Sequence, residues 1–315
     1  TIIFLFFSNN SITGNTIDST DCYNDILNDN SLKQWLDFES NANDKSGENN
    51  NGVLQGAGIS TGKFGKGLSL SSGNYVTSSD SGFPTTSQGR TISLWFKKSD
   101  SSIGFFYEYG LNQAGKRIAI GYIDDTDPLM SGFTLPEPGD YLTIDVYGHT
   151  VGINFNADSS WHHLIAVVPD GSSSSSQLKM YVDGILQNTK TKLGNPVALN
   201  TILTGTSYIG VNQARNAYHK GNLDEVMVFN RELSSSEINA LYSCDLTLPV
   251  PPEPSYQCSD GVDNDGDGKI DLLDIGCSNA QDNSETNTVV YQCSDNIDND
   301  GDGKIDYGTS STNDP

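Results

Sequence analysis

Apolar residues occur in short runs broken by Gly, Ser, Asn and Asp, and the clearest run lies in Trp161 to Gln187, WHHLIAVVPDGSSSSSQLKMYVDGILQ. Leu164, Ala166 and Val168 alternate with His163, Ile165 and Val167, so both faces are largely apolar, as in a strand central to a two-layer core. A polar loop from Pro169 to Ser176 follows. Leu178, Met180 and Val182 then alternate with Lys179, Tyr181 and Asp183, giving a strand with one wet face that ends at an Asp183-Gly184 turn. Comparable strands are predicted near 32–38, 52–56, 67–70, 75–76, 91–97, 102–109, 117–123, 141–146, 151–155, 207–211 and 221–229. Helical period is absent until Ser234-Ser235-Ser236-Glu237, a capping box opening one or two turns through Leu241. The expected fold class is all-β, an antiparallel two-sheet sandwich with a short C-terminal helix.

The pattern changes at both ends of this region. Thr1 to Phe7, TIIFLFF, is too short for a membrane span, which needs ~20 residues, and reads as the remnant of a signal peptide or as an N-terminal strand. With the polar residues after it, it makes up a leader and linker over 1–30; the sandwich is expected over 31–245. Pro249-Val250-Pro251-Pro252-Glu253-Pro254 predicts a semi-rigid polyproline II spacer over 246–255. Beyond it the sequence repeats: Tyr256-Gln257-Cys258-Ser259-Asp260 returns as Tyr291-Gln292-Cys293-Ser294-Asp295, and both copies continue into DNDGDGKID. Repeat one is placed at 256–290 and a truncated repeat two at 291–315, as in a piece of a longer polypeptide.

These repeats carry the most legible chemistry. Asp263, Asp265 and Asp267 alternate, Gly268 is sixth, Asp271 ninth and Asp274 twelfth, the spacing with which an EF-hand loop wraps one Ca²⁺. Lys269, at position seven, would offer its backbone carbonyl, as Lys304 would in the second copy. There Asp298, Asp300, Asp302 and Asp306 fill the early positions, and Asp314 substitutes for the displaced twelfth. Asp at position twelve and the absence of flanking helical patterns suggest a loop-rich extracellular calcium repeat. So many carboxylates within a dozen residues repel one another unless a divalent ion neutralises them. An acidic disordered tail is the alternative.

Composition agrees with an oxygen-rich, cation-binding protein. The 315 residues are 35% hydrophobic and carry 40 acidic against 17 basic side chains, a formal charge of −23. Nucleic acid and anionic membrane surfaces are therefore poor partners, and membrane insertion of the mature domain is not expected. Five cysteines without CxxC spacing suit disulfides in an oxidising compartment. Cys22 and Cys244 bracket the sandwich, Cys258 and Cys277 bracket the first aspartate loop, and each pair is expected to join. Cys293 is left over.

Several landmarks occur together: Trp35-Leu36-Asp37-Phe38-Glu39, Asn49-Asn50-Asn51-Gly52, Gly62-Lys63-Phe64-Gly65-Lys66-Gly67-Leu68-Ser69-Leu70, Thr91-Ile92-Ser93-Leu94-Trp95-Phe96, Trp161-His162-His163, Tyr181-Val182-Asp183-Gly184, Tyr208-Ile209-Gly210 and Leu223 to Ser234. In this order they resemble the laminin G-like (concanavalin A-like) jelly-roll domain of prokaryotic surface proteins, and the tail resembles the calcium repeats that accompany it. The resemblance implies a jelly-roll recognition module that binds glycans or surface proteins and often holds a structural Ca²⁺. By position it implies that Asp37 and Asp224 meet at one sheet edge and share that ion, with Asp44 a third ligand; alternatively Asp224 hydrogen-bonds neighbouring backbone. The Ser/Gly-rich loop after Pro169 and the segment from Asp124 to Asp140 depart from the family pattern and leave the ligand loops unassigned.

The same fold hosts glycoside hydrolases, so catalysis needs its own test. The Glu-x-Asp-x-x-Glu strand that delivers their paired carboxylates is absent, and the side chains of Asp224-Glu225, as strand neighbours, are expected on opposite faces. His162 and His163 read as core architecture, and His149 and His219 fall in loop-like stretches. Phe105, Phe106, Tyr107, Tyr109 and Tyr218 could stack on sugars but are more often packing residues. The expectation is a secreted or surface-located, non-catalytic recognition module for a glycan or a surface protein, with Ca²⁺ in its tail. A structural stalk or filament subunit is the alternative, and a glycoside hydrolase the more distant one.

Overall fold

The computed structural model describes residues 22–124, 139–156, 158–244 and 246, and in the tail residues 258, 269–273, 277–278, 282 and 284. The chain divides into two units, Thr1–Thr247 and Leu248–Pro315. In the first unit the strands in chain order are β1 (Leu32–Leu36), β2 (Gly52–Gln55), β3 (Gly58–Thr61), β4 (Lys66–Leu70), β5 (Tyr75–Ser78), β6 (Arg90–Lys98), β7 (Gly104–Gly110) and β8 (Arg117–Ile123). They continue with β9 (Tyr141–Asp145), β10 (His149–Asn154), β11 (His162–Val168), β12 (Lys179–Val182), β13 (Ile185–Leu186), β14 (Lys190–Gly194), β15 (Ser207–Ile209) and β16 (Gly221–Phe229). Helix α1 (Cys22–Leu27) precedes them and α2 (Ser235–Ser243) follows.

The strands form two eight-stranded antiparallel sheets. One runs β13-β12-β11-β6-β16-β4-β3 with β1 also paired to β16, and the other runs β14-β10-β9-β8-β7-β15-β5-β2. Period-two alternation explains the layers. Ile92, Leu94 and Phe96 of β6 and Leu164, Ala166 and Val168 of β11 meet Ile118 and Ile120 of β8 and Leu142 and Ile144 of β9 in the core between the sheets. Each such Ile, Leu, Val or Phe side chain, fully removed from water, contributes ~1.5–3 kcal/mol. The result is the expected jelly-roll sandwich.

β11 is apolar on both faces because the outer face of the first sheet is covered as well. Ile165 and Val167 join Trp35, Trp95, Met227 and Phe229 in a second cluster with Ile26 of α1 and Ile238 and Leu241 of α2. The Cys22–Cys244 disulfide, with Cα atoms 6.1 Å apart, ties the two helices' ends together. The capping box reads as expected: Ser234 Oγ accepts from the Glu237 N–H while the Glu237 carboxylate accepts from the Ser234 N–H.

Three features depart from expectation. The polar linker over 1–30 ends too late, because α1 lies within it, Cys22 and Ile26 are buried, and Asp29 accepts from Arg231, which also grips Glu237. Two further edge strands exist, β3 and β14. His149 opens β10 instead of lying in a loop, and His219, in the loop before β16, is buried as well, the two at 1% and 0% exposure.

Candidate ligand-binding groove

The outward face of the second sheet holds polar groups on strands whose other face is core. On β8, Ile118, Ile120 and Tyr122 point into the core, so Arg117 and Ala119 point out; on β9, Leu142 and Ile144 point in, so Asp145 points out. On β7 a register shift between Phe105 and Tyr107 sends Phe106, Tyr107 and Tyr109 into the core and turns Glu108 outward. The register sets Glu108 beside Ala119 and Ala119 beside Asp145, so Arg117 reaches both carboxylates on the diagonal.

Arg117 NH1 donates to Glu108 Oε1 at 2.9 Å, and its Nε and NH2 donate to Asp145 Oδ1. Burial works against the guanidinium's charge, yet Asp145 and Glu108 hold its proton more firmly than usual. Glu108 is wholly buried, and burial raises its pKa despite Arg117 and the nearby Gln213 backbone N–H. Asp145 is the hub: Oδ1 also accepts from the Tyr147 N–H at 2.9 Å and Oδ2 accepts from Thr150 Oγ1 at 2.6 Å. The turn it braces has positive φ at both Tyr147 (52°) and Gly148 (95°), a mirror-image hairpin turn that lifts the Tyr147 ring, 43% exposed, beside the guanidinium at 5.3 Å. Phe105 lies at 5.9 Å from the same guanidinium.

The opposite wall is the loop before β16. Asn212 Oδ1 accepts from the N–H groups of Asn216 and Ala217, and its Nδ2 donates to Asn216 Oδ1 at 2.7 Å. Between the walls lie two adjoining hollows. One, of about 260 Å³, is lined by Ile103, Phe105, Ile123, Asn212, Asn216 and Ala217, and the other, of about 410 Å³, by Tyr147, Gly148 and Gly194. Both share Arg117, Asp145, Thr150 and Leu193. They form a concave, partly apolar groove with few convergent polar groups, the usual make-up of a ligand site.

The residues singled out in the sequence lie elsewhere. Asp37 and Asp224 do come to one end of the β1–β16 pair, but Asp224 is filled by backbone. Its Oδ2 accepts from the Lys63 and Phe64 N–H groups at 2.8 and 3.1 Å, and its Oδ1 from the Glu225 N–H at 3.0 Å. Asp44 likewise accepts from the N–H groups of Trp35, Ser46 and Asn50. Asp37 Oδ2 is buried and lies 3.4 Å from Lys45 Nζ. Protein N–H groups thus occupy the oxygens of Asp224 and Asp44, while Asp37 Oδ2 has no hydrogen-bond partner among the described residues, and among those residues no group of three or more His, Cys, Asp or Glu is placed to hold a metal.

Asp224 and Glu225 do not point to opposite faces. A bulge between Asp224 and Met227, with Glu225 at φ 50°, places both beside the outer cluster, where Trp35 Nε1 donates to Glu225 Oε2. Burial pushes Asp224 up to about 8 and Glu225 well above the carboxylate range, the latter helped by Asp224's charge. At 0% and 2% exposure neither can meet a substrate.

The histidines are architectural. His163 stacks on Trp95 at 4.9 Å and shares a 2.8 Å hydrogen bond with Ser93, and burial lowers its pKa to about 3. His162 sits between Asp183 and Asp158, which raise its pKa against the effect of burial. Of the five aromatics considered for sugar stacking, Phe106, Tyr107 and Tyr109 are core, Phe105 lines the groove and Tyr218 packs near Tyr75.

In the second unit Cys258 and Cys277 are joined, Cα atoms 5.6 Å apart, and Asp271–Leu273 makes a 3₁₀ turn preceded by an exposed Lys269. Asp263, Asp265, Asp267, Asp274, Asp298, Asp300, Asp302, Lys304, Asp306 and Asp314 lie outside the described residues.

Two packed antiparallel sheets with an outward groove define a β-sandwich of the lectin-like kind. The chain belongs to the concanavalin A-like lectin/glucanases superfamily, whose model matches residues 70–239. Domain 4 of AbnA, a GH43 extracellular arabinanase from Geobacillus stearothermophilus, solved with arabinotriose, is similar at 18% identity and a TM-score of 0.50, with 67% of this chain and 98% of that one covered. The binding domain of Paraclostridial Mosquitocidal Protein 1 is similar at 18% identity and TM-score 0.47, covering 67% and 52% of the two chains. A structure of botulinum neurotoxin type C, described as dependent on two ganglioside molecules for cell entry, is similar at 15% and 0.48, covering 67% and 51%. The chain thus spans about half of each toxin chain. At these identities the likeness is one of fold. No curated protein sequence matches the chain.

Proposed function

We propose that the sandwich is a non-catalytic recognition module that binds a glycan in the groove on the outer face of its second sheet. The observation that carries this is the Arg117–Asp145–Thr150 hydrogen-bonded cluster set between apolar walls and an exposed Tyr147 ring. Hydrogen-bonding groups at the middle and C–H-compatible surfaces around them suit a sugar, which is polar at its rim and apolar on its ring face. The arabinotriose carried by the similar domain of AbnA supports the same ligand class. The carboxylates nearest the groove, Glu108 and Asp145, are both committed to Arg117, which suits binding better than acid–base work.

The disulfides support an extracellular setting, secreted or on a cell surface. Among the described residues no helix is long and apolar enough to cross a membrane. The aspartate spacing of the tail supports Ca²⁺ binding by the repeats, whose residues from Asp263 to Asp274 would supply carboxylate and carbonyl oxygens and rigidify the segment. A glycan array run with the full chain in Ca²⁺ tests the recognition role. Binding to a defined glycan set is expected, and silence on every glycan with self-assembly visible by microscopy would favour a stalk or filament subunit instead.

A further inference from the structure

The groove's charge pattern narrows the ligand. We propose that it takes an uncharged oligosaccharide of at least two sugar units, lying across the Arg117–Asp145 pair, and that it discriminates against acidic sugars; this rests on the glycan reading above. Among the described residues lining either hollow, Arg117 is the one cation and Asp145 the one anion. An arginine that captures a carboxylate from a ligand does so with a free fork of two parallel N–H groups. Here the Nε–NH2 fork of Arg117 already faces Asp145 Oδ1, and NH1 is turned to Glu108. A sugar carboxylate arriving at this guanidinium would sit beside two protein carboxylates, and the formal charge of −23 on the whole chain opposes its approach from a distance.

What the groove does offer is neutral. The Thr150 hydroxyl, which gives its proton to Asp145, can still accept from a sugar hydroxyl, and the Asn216 amide, whose Oδ1 accepts from Asn212, can donate through its NH2 group, neither needing a counter-charge. Tyr147 has Arg117 beside its ring and keeps 43% exposure, so ring surface is available for a pyranose or furanose face. The two-unit length follows from the shape: two hollows share one polar wall, so a single ring seated in either leaves the other hollow and part of that wall unused. A chain lying across the wall contacts both.

The experiment is calorimetric titration of the full chain with neutral trisaccharides (arabinotriose, xylotriose, cellotriose, mannotriose), their monosaccharides, and acidic probes (trigalacturonate and sialyllactose). At least one neutral trisaccharide is expected to bind about ten-fold or more tighter than its monosaccharide and than either acidic probe, a difference of about 1.4 kcal/mol. Its affinity should be unchanged between low and moderate salt, since no ligand charge is screened. Tyr147→Ala and Asn216→Ala, both at exposed positions, should each weaken it about ten-fold while the melting temperature stays at the parent value. Tighter binding of an acidic probe, lost in the same variants, would overturn the charge inference and leave the glycan reading standing. A monosaccharide binding as tightly as its trisaccharide would overturn the length. Neutral binding untouched by both variants would move the site out of the groove, and no binding by any probe would remove the glycan reading itself.

Discussion

Arg117 on β8 and Asp145 on β9 meet on the open face of the second sheet, with Nε donating to Oδ1 at 3.1 Å and Glu108 closing the other side of the guanidinium. Arg117→Met leaves Glu108, wholly buried, without its counter-charge. Breaking a buried pair from one side costs about 3–5 kcal/mol, whereas removing both charges is often close to neutral. Denaturant unfolding should therefore show Arg117→Met strongly destabilised and Glu108→Gln/Arg117→Met recovered in part, since Asp145 keeps its charge at a partly exposed position. A double variant no more stable than the single would show that the guanidinium's packing, and not its charge, matters.

The loop Gly62–Gly67 closes over two carboxylates with its backbone. A methyl group on Gly62 would lie 2.5 Å from Asp224 Oδ2 and from the Lys66 carbonyl carbon, and Gly65, at φ 45°, sits against the Glu39 carboxylate. Gly62→Ala must push backbone off Asp224, leaving a buried carboxylate short of donors, and should cost more than the typical ~1 kcal/mol of a point substitution. Thermal unfolding of Gly62→Ala beside the exposed-site control Gly58→Ala, where a methyl group meets nothing within 4 Å, checks this; equal melting temperatures would contradict it.

Asp224 and Glu225 give the sandwich a pH dependence of definite sign. Burial raises the folded-state pKa of Asp224 from 3.8 to about 8, so its contribution is fully present below pH 4 and is lost as pH rises through 8. Glu225, raised in the same direction, adds to the loss. Glu225→Gln removes one charge of the pair and keeps an acceptor for Trp35 Nε1. The variant is expected to match the parent at pH 4 and to exceed it at pH 9, with the gap growing by up to about 1.4 kcal/mol per pH unit in between. Melting curves from pH 4 to 9 measure it, and a deficit that widens with pH would rule the account out.

Most strands and the α2 capping box were legible because period two and Ser-x-x-Glu are local signals. The elements that were not legible lack such signals. β3 (GIST) and β14 (KTKLG) are edge strands without apolar alternation, and α1 is a six-residue helix held by Ile26 burial and the Cys22–Cys244 link. The Asp224–Glu225 geometry was misread because a bulge cancels the alternation that strand neighbours normally obey. The groove was hidden for a different reason: its polar residues come from several strands and a loop, far apart in sequence. Only Glu108, a charge inside β7, and Arg117 and Asp145, at the ends of the mostly apolar β8 and β9, hinted at it.

The aspartate repeats make a separate expectation. If Ca²⁺ orders the tail, calorimetry of the full chain should show an added or upshifted transition in Ca²⁺ relative to EDTA, since an ion bound only by the folded form stabilises it in proportion to its saturation. Asp263→Asn with Asp265→Asn should abolish that shift and leave the sandwich transition in place, because Asp224 and Asp44 are satisfied by backbone N–H groups. Identical profiles with and without the ion would refute calcium in the repeats, and a Ca²⁺-dependent shift of the sandwich itself would refute the assignment of Asp224 to backbone.

The central claim is that the outer face of the second sheet recognises glycan without cleaving it. The most direct measurement is to incubate the full chain with every glycan it binds on an array, assay for new reducing ends, and repeat the array with Tyr147→Ala. Binding that is lost in Tyr147→Ala, with no reducing ends released by the parent, is the predicted result. Reducing ends that appear with the parent and vanish on replacing Glu108 or Asp145 would contradict it.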